Sequence, residues 1–162
     1  ISMLKTFNNQ EIKFIIFIIL IYISFKLHYE DERKTICKNL DKNVALQHFL
    51  LGHHTFNIFC LIGWYLLPKC YLSLFLFIMF FLKLHWILCG DVCVFNDMYY
   101  NSCGVINMKD NNYESYLFKD IFWYIGIKSL KFRILIYECI TTLGVLYALN
   151  HYKIIKFKYL NF

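Results

Sequence analysis

Two long apolar blocks that meet at a single proline constrain this chain more than any other feature. "VALQHFLLGHHTFNIFCLIGWYLL", residues 44–67, runs into Pro68 and Lys69, and "CYLSLFLFIMFFLKLHWILC", residues 70–89, follows at once. A helix that crosses a bilayer needs about 20 largely apolar residues, and each block has that length. Proline ends the first helix, and so short a link turns the second back alongside it. The pattern predicts a tight antiparallel hairpin inside an all-α, integral-membrane fold.

The remainder fits the same class. Hydrophobic residues make up 59% of the chain and aromatic residues 20%, whereas charged residues reach only 17%. A soluble domain is roughly 45–50% apolar. A first span is predicted at about 12–28, around "FIIFIILIYISF", and a last at 132–151, around "RILIYECITTLGVLYALN". Lys5 and Lys13 ahead of the first block would suit a signal peptide, but no small-x-small cleavage site follows, so it reads as an uncleaved anchor. Polar loops are expected at 29–43 and 90–112. The alternating aromatic and charged residues of about 113–128 suggest an amphipathic helix lying in the interface. The whole chain, 1–162, is then one membrane domain of four transmembrane helices with both termini on one side. Trp64 falls near one interface, and Trp86 and Trp123 near the other.

The net charge of +6 comes from lysines flanking apolar segments, which points to anionic lipid and away from nucleic acid. Lysine far outnumbers arginine, which occurs only at Arg33 and Arg133, and Ile, Asn, Phe and Tyr abound, as AT-rich codons would produce. Positive residues near span ends favour loops inside, while the loop cysteines favour loops in an oxidising compartment.

His48, His53 and His54 crowd into the second block. Helical geometry sets His48 and His54 about 120° apart in projection, so they cannot share one ligand. If the hairpin pivots at Pro68, His85 lies level with His53. Those two imidazoles could hold a b-type haem from opposite sides, with Gly52 giving room for the macrocycle. The plainer alternative is hydrogen bonding between helices. Glu138 is the one carboxylate well inside a predicted span, where it suits a proton or quinone site, or a polar contact with His53, His54 or Lys83.

Seven cysteines are present, and Cys93 with Cys103 would close a short loop disulfide. "CGDVC" has the wrong spacing for a zinc knuckle, so no metal site is expected. P-loop, dinucleotide, G-x-S-x-G and HExxH motifs are missing, so the chain is not expected to be an enzyme.

The hairpin "GWYLLPKCYLSLFLFIMFFLKLHWILCGDVCVFNDMYY" carries Gly63, Trp64, Leu67, Pro68, His85, Trp86 and Cys93. In these it resembles small uncharacterised multi-span membrane proteins of large DNA viruses and algae. The resemblance implies a membrane fold and brings no activity with it. The expected role is a non-catalytic accessory or structural subunit, without cofactor, of a larger membrane assembly. An organellar respiratory or ATP-synthase complex of the mitochondrial inner membrane comes ahead of the inner membrane of a virion. Its partners would be other membrane subunits and lipids. The rival is a redox anchor binding haem b or quinone between the second and third spans.

Overall fold

The computed structural model describes residues 8–89, 94–104 and 121–155, and every regular element among them is helical. α1 spans Asn9–Thr35, and α2 spans Val44–Ile58. α2 continues through a π-helical segment, Phe59–Gly63, into the short α3, Trp64–Leu66. α4 covers Leu72–Cys89, α5 Val94–Ser102, α6 Ile121–Tyr124 and α7 Leu130–His151. Among the described residues two helices, Asn9–Thr35 and Lys131–His151, are long and apolar enough to cross a membrane.

Local chemistry sets the helix ends. Asn8 caps α1 through a reciprocal box: its side chain accepts from the Glu11 amide, and the Glu11 carboxylate accepts from the Asn8 amide. Asn43 caps α2 by accepting from Leu46 N–H at 3.1 Å. The charged run expected to be loop from residue 29 is instead the last two turns of α1. Glu30 accepts from Lys26 at 3.0 Å and from Arg33 at 2.7 Å, pairs spaced i,i+4 and i,i+3 that favour helix over coil. The polar loop expected at 90–112 likewise contains α5. Of the interfacial helix expected at 113–128, residues 113–120 lie outside the described residues, and α6 is the part that is seen.

The hairpin departs from the tight pairing expected of it. Near the turn the register holds, with the Phe59 and Phe75 rings 6.0 Å apart. Beyond it the helices separate, because α2 packs on α1 and α5 whereas α4 packs on α7 and the π segment. The π turn redirects the chain here, and the Trp64 indole donates to Leu61 C=O at 2.8 Å, satisfying a carbonyl that regular helix would have used. A core of Cys60, Leu61, Leu72, Phe75, Met79, Tyr137 and Ala148 fills the α4–α7 side. A second, of Cys37, Leu40, Leu46, Leu50, Tyr99 and Tyr100, fills the α1–α2–α5 side.

Gly144 marks the closest approach of α7 to this bend. A Cβ there would lie 2.4 Å from Cδ1 of Trp64. Gly144→Ala is therefore expected to cost about 1–3 kcal/mol through overpacking. The check is the unfolding midpoint in detergent, with partial recovery when Trp64→Phe removes the clashing ring.

A buried polar chain between the first two helices

Five polar side chains form a continuous hydrogen-bonded chain inside the α1–α2–α5 unit. Ser24, His28 and Glu32 recur every fourth residue along α1, which places them on one face. His54 projects from α2 into that face, and Tyr100 closes the end from α5. Ser24 Oγ is 2.7 Å from His54 Nδ1, and His54 Nε2 is 2.8 Å from His28 Nδ1. His28 Nε2 is 3.2 Å from Glu32 Oε1, which also accepts from the Tyr100 hydroxyl at 3.5 Å. The two imidazoles meet edge to face, 5.0 Å between centroids. Glu32 is 0% exposed and His54 1%, so this is interior structure.

The donors can be ordered consistently. With both imidazoles neutral and Glu32 ionised, Ser24 donates to His54, His54 to His28, and His28 to Glu32. A proton added at His28 reverses the two inner bonds, so that His28 donates to His54 and His54 to Ser24. Both arrangements leave every ring nitrogen engaged. Histidine makes this possible because its two nitrogens exchange donor and acceptor roles. Burial pushes the Tyr100 phenol up, and the neighbouring Glu32 charge adds to that, so Tyr100 stays a donor at any physiological pH.

A disulfide closes the same end. Cys37, just past α1, is bonded to Cys103, just past α5, with Cα atoms 4.9 Å apart. This corrects the expected Cys93–Cys103 pair. Cys93 lies outside the described residues, but the sulfur of Cys103 is already taken. Sequence proximity favoured the short loop, whereas α5 folds back over the end of α1 and carries Cys103 to Cys37. Cys60, Cys70 and Cys139 are free thiols.

The other candidates sit elsewhere. His48 is exposed, with Nδ1 bonded to the Val44 carbonyl at 2.8 Å. His53 stays on its own helix, where Asn57 Nδ2 donates to its Nε2 at 2.9 Å. His85 is carried by α4, which packs on α7 and the π segment, whereas His53 lies on α2, which packs on α1 and α5. Among the described residues no group of three or more His, Cys, Asp or Glu is arranged to hold a metal ion.

Glu138 pairs with Lys83 across the α4–α7 contact, one of the partners its sequence position allowed. The two side chains are 37% and 38% exposed. Lys83→Met alone or Glu138→Gln alone is expected to cost about 0–1 kcal/mol, because each removes one ion pair between partly exposed groups. The double variant should lose less than the sum, which a double-mutant cycle on unfolding would measure.

Sequence reasoning missed Ser24, His28, Glu32 and Tyr100. The i,i+4,i+8 spacing of the first three was the available signal, and it becomes visible only when α1 is carried past Leu27 into the charged run.

No protein family, curated protein or solved structure matches this chain.

Proposed function

We propose that the protein is an integral-membrane accessory subunit, without a catalytic centre of its own, that works as part of a larger membrane assembly. In this reading α1, the α2–α3 run, α4 and α7 are four spans. α1 presents apolar side chains in nearly every direction. Ile12, Phe14, Ile15, Ile16, Ile18 and Ile19 are each 41–50% exposed, a surface that lipid or apolar partner helices would cover.

The observation that carries the non-catalytic reading is the closure of the polar chain. All four ring nitrogens of His28 and His54 are used by Ser24, by each other and by Glu32. Neither imidazole has a nitrogen left to ligate a haem or a metal. The chain thus serves to fix α1 on α2 in one register, the best attested use of buried polar groups between helices. The Cys37–Cys103 bond supports placing that end in an oxidising compartment, with the N-terminal end of α1 on the opposite side. Residue usage typical of an AT-rich genome is compatible with the mitochondrial inner membrane or the inner membrane of a virion.

Purification in mild detergent tests this reading. The protein should migrate in an assembly well above its own 19.7 kDa and show no Soret band. A lone protomer, or a Soret band lost in His85→Ala, would replace it with a free-standing or haem-binding protein.

A further inference from the structure

Where α2 leaves α4, a groove of about 730 Å³ opens between them, within the size range of ligand sites. Phe14 and Phe17 of α1, Phe56 of α2, Phe59 of the π segment, and Leu74 and Ile78 of α4 form its walls. Gly52 lines it too, and a Cβ at that position would meet nothing within 4 Å. The polar groups along its α2 wall are turned to their own backbone, with His48 on Val44 C=O and Thr55 on Leu51 C=O. What remains is a trough of hydrocarbon.

From His48 the groove follows α2 and continues past Phe59 to Leu67 and Pro68.

Charge gathers at one end. The groove finishes at Leu67 and Pro68, and the exposed Lys69 is the next residue. Lys13 precedes Phe14 and shares a helix face with Phe17. Its ammonium stands 4.0 Å from the Tyr65 ring centroid and 3.4 Å from Tyr65 C=O, beside the same turn. The nearby carboxylate, Glu11, is engaged in capping α1.

We propose that this groove is a binding site for an anionic phospholipid, one acyl chain lying along Gly52 and Phe56 and the headgroup held between Lys13 and Lys69. The proposal rests on the membrane reading above.

The test is native mass spectrometry of the full chain, extracted from mixed micelles that hold phosphatidylglycerol and phosphatidylcholine with identical acyl chains. Two lysines near a headgroup predict a roughly thirtyfold preference for one retained phosphatidylglycerol. Lys13→Gln with Lys69→Gln should bring that preference down to parity. Gly52→Phe should abolish retention, and Thr55→Trp is a second groove-filling variant in case the first misfolds. Equal retention of both lipids by the unaltered protein overturns the proposal. So does undiminished phosphatidylglycerol on a folded groove-filling variant, or a Gly52→Cys crosslink showing a second copy in the groove. A chain that stays in solution without detergent defeats the membrane reading itself; one that needs detergent yet shows no headgroup preference defeats only the groove.

Discussion

His54→Ala is expected to lower the unfolding free energy by about 3–5 kcal/mol, the largest effect of any single substitution in the α1–α2 unit. His54 is the only group bonded to both Ser24 and His28 in the chain described above. Its removal leaves a buried hydroxyl and a buried imidazole nitrogen without their partner, at about 1–3 kcal/mol for each unsatisfied group, and opens a cavity in addition. Ser24→Ala breaks one bond at the end of the chain and should cost about 1 kcal/mol. The pair His28→Leu and His54→Leu should couple. Both single variants break the same His28–His54 bond, so the double variant should be more stable than the sum of the singles by about 1–3 kcal/mol. Equilibrium unfolding of these five variants in mixed micelles measures these effects. Strict additivity would mean that the two imidazoles do not act as one chain.

Loss of the Cys37–Cys103 bond ranks second, at about 2–4 kcal/mol. The crosslink joins positions 66 residues apart, and a loop of that length carries a large closure entropy in the unfolded chain. Insertion of the intervening helices in a membrane would already restrict that chain, which keeps the expected value below the entropic limit. Cys37→Ser, Cys103→Ser and the double variant should be equally destabilised, because all three delete one and the same bond. Reductant should bring the unaltered protein to their midpoint and leave the double variant where it was. Released from its staple, α5 would also withdraw Tyr100 from Glu32, so the bond holds the end of the polar chain closed. Peptide mapping that joins Cys103 to Cys93 would contradict this account.

These two predictions rest on features of unequal visibility in the sequence. The helical runs predicted at 44–67, 70–89 and 132–151 announced themselves through apolar length, whereas the capping roles of Asn8 and Asn43 emerge only from the structure. Lys83 could be named as a partner for Glu138 because few other cations lie near its depth. The polar chain was hidden by composition: "HYEDERKT" reads as a solvated loop, and only ion pairing among Lys26, Glu30 and Arg33, with Glu32 turned inward, keeps it helical. The separation of α2 from α4 was hidden for another reason. A turn at Pro68 fixes direction, but the π segment and the seating of Gly144 on Trp64 decide which neighbour each helix keeps. Cys37 escaped notice as a partner for Cys103 because α5 lies within a stretch rich in turn formers.

The exposed apolar faces of α1 and α4 are expected to meet lipid. Alkaline extraction of membranes that carry the full chain measures this, because it strips peripheral proteins and leaves spanning ones behind. The chain should remain in the membrane pellet and enter solution only with detergent. Recovery in the alkaline supernatant as a folded, soluble protein would contradict it.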